Sequence, residues 1–481
     1  MFTKIRSKIK KLEPILPFLP KGSYLVGGAV RDLFLNRNVV DFDIALETDP
    51  KQVSRHIADK TNGSFVELDK ENGIYRVALK DIFLDFSFLK GKTIKEDLLK
   101  RDFTINSIAI KLNDEDLIID PLKGIDDLKK RIIRQNLKTS FLEDPLRILR
   151  AFRFSAVLDF DIENQTLKQI KKDVPLLTNV AMERIIKELF LILETPNSYR
   201  FILLMDKTEV LSQLFPIIEK MKGFDQGDFH HLDLWNHSLL TLYIFERMIK
   251  KGEILFNGFW EKIQAYLFKK INSERKNIAI IKLASIFHDI GKIKTKDIIN
   301  GKIRFFSHHE EGAKLISKMV KDWKLSRREG ELLIKLIRYH MYPIHIVNNR
   351  INPTKRALFR FFRKHGDDGI GIWLLALSDV RATRGKNHTI SEEKRFIRIT
   401  RDILKRYFSD IYPVLNEERL ISGNDVIEIL KIPPGPMVGK ILKVIQEKKY
   451  TGEINSRNDA LIFLENIKKY KNKEEFLKKG I

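Results

Sequence analysis

The sequence contains no cysteine. Disulfide bonds and thiolate metal sites are therefore excluded, and a bound metal ion must be held by His, Asp or Glu side chains. Histidine is scarce as well, with 11 residues in a chain of 481. The metal predictions below accordingly depend on a small number of His, Asp and Glu positions.

The sequence also lacks a long apolar segment. No run reaches the roughly 18 uncharged apolar residues of a transmembrane helix, so no membrane span is predicted. The N-terminal segment MFTKIRSKIKKLEP is basic but has no apolar core of the kind found in a signal peptide. These features favour a cytoplasmic protein.

Acidic residues are too few to balance the basic ones. The chain has 64 Asp and Glu against 88 Lys and Arg, a net charge of +24. This favours a polyanionic partner such as nucleic acid, although a general richness in Lys and Ile, typical of an AT-rich genome, would produce the same excess. The length and the 43% hydrophobic content predict a globular protein of about two to four domains.

Two short motifs near the N-terminus carry the first chemical prediction. LVGGAVRD, at residues 25–32, places two glycines where a strand would turn into a helix, and DFDIAL, at residues 41–46, is predicted to form the next strand. Side chains alternate along a strand, so Asp41 and Asp43 face the same way. Two carboxylates beside freed backbone amides can hold Mg²⁺ against a nucleoside triphosphate. The pattern predicts phosphoryl or nucleotidyl transfer.

Asp85 interrupts a mostly apolar strand, IFLDFSFL. The surrounding pattern predicts a hairpin of Ile74–Leu79 and Ile82–Leu89. If the second strand pairs beside the strand of Asp41 and Asp43, Asp85 becomes a third carboxylate there, either a general base or a further metal ligand. The alternative is an exposed aspartate on an edge strand.

A third pattern is EDPLRILRAFRF, at residues 143–154. On one helix, Asp144, Arg147 and Arg150 would recur every three residues and share a face. An Asp and an Arg so placed can read the Watson–Crick edge of C or A and reject U and G. The alternative is a solvated salt bridge of little energetic value.

The order of these motifs is more specific than any one of them. GGAVRD, DFD, RDFTIN, EDPLR and MERIIKEL, spread over residues 23–193, resemble the bacterial-type (class II) tRNA nucleotidyltransferases, the CCA-adding group that includes bacterial poly(A) polymerases. The resemblance implies an α+β fold, with a polymerase-β-like head followed by an all-helical neck, an HD-type body and a tail. It also implies addition of the tRNA 3′-terminal CCA without a nucleic-acid template, with CTP alone or CTP and ATP as substrates.

The resemblance further implies roles for single residues. Asp41 and Asp43 would hold Mg²⁺. The nucleotide-binding residues would fall into four groups. Gly27, Gly28 and Arg31, with the adjacent Asp32, would contact the triphosphate, and Arg101, Asp102 and Asn106 would contact the ribose. Asp144 and Arg147 would serve as a protein template for the base, and Arg150 and Arg153 would lie near the phosphates.

One segment departs from the pattern of many family members. They carry a flexible loop of a couple of dozen residues between the strand of the third carboxylate and the RRDFT motif. Here only FLKGKTIK, at residues 88–95, separates LDFS from EDLLKRDFT. In this family a deleted loop accompanies enzymes that add only CC and leave the final A to a separate enzyme, which is the prediction here. A complete CCA-adding enzyme and a bacterial poly(A) polymerase are the alternatives.

A second set of residues predicts a metal site in the later part of the chain. His237, the pair His288 and Asp289, and Asp379 can converge on one divalent ion, and His308 and His340 can add ligands for a second. Their order resembles the HD metal-dependent phosphohydrolase superfamily over about residues 230–385, which implies possible hydrolysis of phosphomonoesters or 2′,3′-cyclic phosphates. The alternative is packed or exposed histidines. The four that fit no ligand position are interpreted as structural or surface residues: His230, His231, His345 and His365.

The predicted organisation has four parts: a nucleotidyltransferase head (1–136), a helical neck (137–225), an HD-type domain (226–410) and a helical tail (411–481). The tail contains the turn PPGPMVG and resembles the family's C-terminal region. This implies contact with the tRNA elbow through backbone phosphates, while the head receives the acceptor stem.

Overall fold

The computed structural model describes residues 9–113, 117–228, 230–272, 274–348, 353–383 and 390–470. The chain forms two compact units, Met1–Pro216 and Ile217–Ile481. This division is coarser than the four predicted parts, whose boundaries stay a prediction. None of the helices in the described ranges is both long enough and apolar enough to cross a membrane.

A seven-stranded sheet dominates the first unit. The strands follow the order β3-β4-β5-β2-β1-β6-β7, and β2 and β5 are parallel whereas the other neighbours are antiparallel. The strands are β1 (Ser23–Val26), β2 (Asp41–Leu46), β3 (Ser64–Asp69), β4 (Ile74–Ala78), β5 (Phe83–Phe88), β6 (Ala109–Lys111) and β7 (Ile118–Ile119). The predicted hairpin is confirmed, because β4 and β5 pair and the Leu79 amide donates to the Ile82 carbonyl at 3.0 Å.

The part of the sheet formed by β4, β5 and β2 has one buried face and one open face. Phe42, Leu84 and Phe86 point to the buried face and are almost fully inaccessible. The helix Pro50–Thr61 packs against β4 and β5 and contributes buried Ile57. The strand residues that alternate with these buried side chains include the aspartates of β2 and β5, and they point to the open face. The fold thus presents the carboxylates on an uncovered surface.

Helices make up most of the rest of the first unit. They are α1 (Gly28–Phe34), α2 (Pro50–Thr61), α3 (Ile94–Leu99), α4 (Gly124–Lys130), α5 (Ser140–Glu143), α6 (Arg147–Leu158), α7 (Asn164–Asp173), α8 (Met182–Leu193), α9 (Ser198–Lys207) and α10 (Val210–Leu214). A short parallel pair, β8 (Ile132–Ile133) and β9 (Asp161–Ile162), lies among them.

The prediction of one helix through EDPLRILRAFRF is wrong at its start. Helix α5 ends at Glu143 and α6 begins at Arg147, while Asp144 is extended with φ −145° and ψ 98°. Pro145 explains the break, since proline disfavours the helical conformation in the residue before it. Asp144 therefore does not share a helix face with Arg147 and Arg150.

The second unit is mainly helical. Its helices are α11 (Ile218–Met221), α12 (Leu234–Lys250), α13 (Gly252–Leu255), α14 (Trp260–Phe268), α15 (Asn277–Phe287), α16 (Lys292–Thr295), α17 (His308–Asp322), α18 (Arg327–Tyr339), α19 (Met341–Asn348), α20 (Lys355–His365), α21 (Asp368–Ala382), α22 (Ile390–Arg406), α23 (Tyr412–Asn416), α24 (Gly423–Leu430), α25 (Pro436–Thr451) and α26 (Arg457–Lys468).

One hairpin interrupts this helical unit, although the resemblance implied only helices after the head. Its strands are β10 (Lys296–Ile299) and β11 (Lys302–Phe305). Asn300 and Gly301 form the turn with φ of 51° and 73°. Asn-Gly is the commonest two-residue hairpin turn, so the signal was present in the sequence.

The last three helices form a core of their own. Ile421, Val426, Ile441 and Leu464 are among its buried residues. Helix α25 begins directly after Gly435, within the PPGPMVG segment. Ion pairs join this core to α20, where Arg360 lies 2.7 Å from the buried Glu447.

We predict that Gly124→Ala destabilises the first unit. A Cβ at Gly124 would lie 2.1 Å from the Thr104 carbonyl oxygen, in the short 3₁₀ turn Thr104–Asn106. Overpacking of this kind costs about 1–3 kcal/mol, so thermal unfolding should show a fall in Tm of several degrees. Gly439→Ala is the control, because its Cβ would meet nothing within 4 Å in helix α25. Equal Tm values for the two variants would contradict the prediction.

Candidate transferase site and candidate metal centre

The three predicted carboxylates lie together on the open face of the sheet. Strands β2 and β5 are parallel, and their register places Asp43 opposite Asp85 and Asp41 opposite Phe83. Cross-strand partners share a face, so Asp41, Asp43 and Asp85 project to the same side. The interpretation of Asp85 as an isolated edge-strand residue is wrong, because β5 lies between β4 and β2.

The surroundings of Asp43 disfavour its charged form. Desolvation by the surrounding protein raises the pKa of Asp43 to about 6; Asp85 and Asp41 raise it further and Arg101 opposes them. Asp85, in contrast, is held by Arg76, whose Nε and Nη2 donate to its two oxygens at 2.7 Å each. A set of oxygen donors with excess negative charge suits Mg²⁺.

The glycine turn lies next to these carboxylates. Gly27 has φ +72°, and a Cβ there would lie 3.1 Å from Asp43 Oδ2 and 3.1 Å from Arg101 Nη1. Arg101 is oriented by Asp97, which accepts from its Nε at 2.8 Å. Glycine is therefore required at this position both by conformation and by the close approach of two charged groups.

The RDFTIN segment connects the head residues through one buried carboxylate. Asp102 accepts from the Phe103 amide, from Asn106 Nδ2 and from Arg150 Nε, each at 2.9 Å. Burial alone would raise the pKa of Asp102, but Arg150 and Asn106 hold it below its usual value. Asn106 Oδ1 in turn accepts from Arg31 at 2.9 Å. Arg31 and Arg150 are thus fixed by the same network.

Three arginines surround one aromatic ring. The guanidinium carbons of Arg31, Arg150 and Arg153 lie 5.1, 5.3 and 4.1 Å from the ring centroid of Phe154. We call these four residues the arginine cluster. Each arginine also has a carboxylate partner, and these are Asp32, Asp102 and Glu188 respectively. The sequence predicted the arginines, whereas Phe154 and Glu188 were missed because only the fold brings them together.

The predicted base-reading residues are close in sequence but have separate partners. Asp144 accepts from the Leu146 amide at 3.2 Å. Arg147 donates from Nη1 to the hydroxyl of Ser140 at 2.8 Å and from Nη2 to the Lys100 carbonyl at 2.7 Å. The structure thus places both side chains beside the head network, with Arg147 tied to the main chain that leads into Arg101.

The histidines and aspartates of the second unit converge as predicted. Two overlapping groups have possible ligand atoms within 4.8 Å of one another: His237, His288, Asp289 and Asp379; and Asp289, His308 and His340. Asp289 belongs to both. Its Oδ2 lies 3.2 Å from His288 Nε2, and its Oδ1 lies 3.1 Å from His308 Nε2. One carboxylate therefore faces two potential cation positions.

The ring orientations favour coordination. The Nδ1 atoms of His288, His308 and His340 face the carbonyls of residues 285, 305 and 337 at 2.7–3.0 Å, which directs each Nε2 inward. His288 Nε2 is buried and faces Asp289 Oδ2 at 3.2 Å and Asp379 Oδ1 at 3.5 Å, without a well-directed hydrogen bond to either. Burial alone would lower the pKa of His288, but Asp289 and Asp379 raise it to about 10. These buried residues therefore fit a divalent cation.

Lys292 and two neighbours complete the surroundings of this centre. Lys292 Nζ donates to Asp289 Oδ2 at 2.6 Å and to Gln226 Oε1 at 2.9 Å, and lies 3.3 Å from His230 Nε2. Burial, followed by Lys292, lowers the pKa of His230 to about 2, so this imidazole is neutral. That His230 is not a ligand stays a prediction, but its position beside the centre was not predicted from the sequence.

Comparison with known proteins agrees with this geometry. The family model "Poly A polymerase head domain" matches residues 23–134, "HD domain" matches 234–367, and a tRNA nucleotidyltransferase domain 2 model matches 303–464. An A-adding tRNA nucleotidyltransferase of Deinococcus radiodurans is 30% identical over 465 residues, which is 94% of this chain and 97% of the relative. The chain belongs to the tRNA nucleotidyltransferase family. It is therefore an enzyme of nucleotidyl transfer.

Other members of the family carry different names. A CC-adding tRNA nucleotidyltransferase of Geobacter sulfurreducens is 30% identical over 445 residues, 92% of this chain and 91% of the relative. The solved complex of a CCA-adding enzyme with CTP is 23% identical with a TM-score of 0.65, covering 97% of this chain and 98% of that one. The predicted α+β fold with a polymerase-like head and helical remainder is confirmed.

The arginine cluster generates a prediction. Phe154→Leu keeps an apolar side chain but removes three cation–π contacts, each of about 0.5–2 kcal/mol. We expect the KM for the nucleotide to rise about tenfold in steady-state assays. Phe160→Leu is the matched control, because Phe160 is buried and contacts only Arg131 in this way among the described residues. If both variants changed KM equally, the effect would come from general destabilisation.

Proposed function

We propose that this enzyme adds cytidines to the 3′ end of tRNA. The observation that carries the proposal is the register of β2 and β5, which sets Asp43 beside Asp85 next to the glycine turn. The tRNA 3′-hydroxyl oxygen forms a bond to the α-phosphorus of CTP, and the bond from that phosphorus to the bridging oxygen of the β-phosphate breaks. Pyrophosphate leaves, and the hydroxyl proton passes to Asp85 or to solvent.

Each site residue has a place in this proposal. Asp41 and Asp43 would hold Mg²⁺, which would supply charge neutralisation for the triphosphate and the leaving group. Gly27 and Gly28 let the backbone approach the phosphates, while Arg31, Arg150 and Arg153 add positive charge. Arg101, Asp102 and Asn106 support the ribose, with Asp32 orienting Arg31 through contacts of 2.9–3.0 Å.

Base selection is assigned to Asp144 and Arg147. A carboxylate accepts from the amino group of cytosine while a guanidinium donates to its ring nitrogen or carbonyl, and U presents the opposite pattern. For this, Arg147 must exchange its contacts to Ser140 and the Lys100 carbonyl for contacts to the base. Its present partners hold the guanidinium in a fixed starting position.

The connection between β5 and α3 supports CC-only addition. Strand β5 ends at Phe88 and α3 begins at Ile94. The intervening residues are tied down, since the Lys90 amide donates to Asp97 and the Lys92 amide donates to Glu96, both at 2.9 Å. So short and fixed a segment cannot reach over the base-reading residues to reshape them for ATP. We infer that a separate enzyme adds the final A.

The tail is assigned to tRNA binding. Helices α24–α26 have an independent core, so they present a firm surface, and Lys431, Lys440 and Lys443 are exposed on it. Lysines on a surface suit phosphate contacts at the tRNA elbow. The proposed division into head, neck, HD-type domain and tail follows from these roles, with the acceptor stem at the head.

A second activity is supported by the metal centre of the second unit. Asp289 and five other side chains offer coordinating atoms that would hold two cations, and the chemistry such cations would supply is activation of water toward a phosphoester. We infer that this domain hydrolyses phosphomonoesters or 2′,3′-cyclic phosphates. The chain's own contribution is a buried, preoriented set of ligands beside Lys292, which can neutralise a phosphate oxygen.

The transferase proposal predicts specific products. With Mg²⁺, tRNA that ends before CCA should gain two residues from CTP and then stop, and tRNA ending in CC should gain no A. Products are sized at single-nucleotide resolution. A single A added to CC-ended tRNA, with or without prior C addition, would contradict CC-only specificity, and a long A ladder would indicate a poly(A) polymerase.

Asp43→Asn tests the carboxylate pair in the same assay. Loss of a metal ligand should lower the rate about 10³-fold or more. Because the fold raises the pKa of Asp43, it disfavours the charged form, and the variant should have a higher Tm than the parent without Mg²⁺ at neutral pH. Asp81→Asn, at the exposed β4–β5 turn, is the control and should change neither value.

The metal centre predicts tight Mn²⁺ binding in the second unit. In an Asp43→Asn background, calorimetric titration should detect this Mn²⁺ binding, and the Mn²⁺-loaded variant should hydrolyse 2′,3′-cyclic AMP. His288→Ala should abolish both, whereas the neighbouring His309→Ala should not, since His309 is outside the converging groups. Retained Mn²⁺ binding in His288→Ala would contradict the proposed metal centre.

A further inference from the structure

The open face of the sheet continues beyond the carboxylates. Its register runs from Asp43 to Asp85 on β5, to Arg76 on β4 and to Val66 on β3. Phe83 lies on the same face, two residues before Asp85. Phe83 and Val66 remain 40% and 42% exposed, although both belong to a sheet whose other face is packed.

Arg76 joins this apolar surface to the catalytic group. While two of its nitrogens hold Asp85, its guanidinium carbon lies 5.0 Å from the ring centroid of Phe83. In the described part of the chain, Nη1 of Arg76 has no hydrogen-bond partner. The result is an aromatic ring beside a cation with a spare donor, the combination that binds single-stranded nucleic acid, with Val66 across Arg76 on the same surface.

The in-line geometry of the reaction decides which substrate lies on the surface around Phe83. Attacking and leaving oxygens are in line at the phosphorus, so the two substrates approach from opposite sides. Gly27 and Arg31 are on the β1 side of Asp43, and they are the proposed triphosphate side. Asp85, Arg76 and Phe83 lie toward β5 and β4, the opposite side. The attacking strand must come from there.

We propose that Phe83, supported by Arg76 and Val66, binds the 3′-terminal nucleotide of the tRNA primer by stacking on its base. This inference rests on the proposed transferase function and adds a binding site for the second substrate. Arg76 Nη1 donates to a phosphate oxygen of the same strand, and Asp85 then lies next to the terminal hydroxyl. Stacking accepts any base, which suits a primer end that changes with each addition.

The test uses the full chain and tRNA ending before CCA, with 2-aminopurine as its last base. Binding to the parent enzyme should quench the fluorescence by stacking, and Phe83→Ala should lose the quench. Phe83→Ala should also raise the KM for tRNA about tenfold or more while the KM for CTP stays unchanged. Phe83→Trp should restore both readouts.

Phe88→Ala is the matched control, because Phe88 is also exposed on β5 but its place in the alternation puts it on the opposite face of the strand from Phe83. It should behave as the parent does. If the parent incorporates C and Phe83→Ala retains both the quench and the KM for tRNA, the stacking site is refuted while the transferase function stands. If Phe83→Ala changes only the association state, the surface binds protein and the inference is wrong. A parent that incorporates no C would overturn the transferase function itself.

Discussion

The parallel pairing of β2 with β5 is the interaction on which the transferase site depends. Asp41 and Asp43 come from one strand and Asp85 from another about forty residues later, and only this register places Asp43 beside Asp85. A slip of one residue would turn every one of these side chains toward the buried face. The apolar residues in between, such as Phe42 and Phe86, prevent that slip because they must stay buried. The core of the sheet thereby fixes the chemistry of its surface.

Charge is balanced differently in the two candidate sites. The arginine cluster pairs each guanidinium with a carboxylate, so its positive charges are held in place before a triphosphate arrives. Asp43 feels the charges of Arg101 and Arg76, but desolvation outweighs them and raises its pKa. At the second centre, Asp289 and Asp379 face the buried His288, and their negative charges raise the pKa of its imidazole. Both sites therefore hold carboxylates whose charge a metal ion would neutralise.

The sequence alone predicted the residues better than their arrangement. Alternation put Asp41 and Asp43 on one face and the hairpin pattern put Asp85 within a strand, but the pairing of β5 with β2 that joins them was only a condition in the sequence. The order of His and Asp residues indicated which side chains converge in the second unit. Phe154, Glu188 and Lys292 were not singled out, since an aromatic residue in a helix or a lone Glu or Lys has no local signal. The error at Asp144 has a local cause, because Pro145 ends the helical pattern that the apolar spacing suggested.

The open face of β3 to β5 exposes apolar side chains to water, an unfavourable feature that a structural role does not explain. Exposed Phe83 and Val66 stay in contact with water, although a polar residue at either position would keep the strand pattern. Arg76 already satisfies Asp85, so the ring of Phe83 is not needed to hold that carboxylate. A surface kept apolar beside the carboxylate that faces the attacking hydroxyl is explained when a nucleobase covers it during each addition. The same face that exposes the acids to metal and nucleotide then also aligns the RNA.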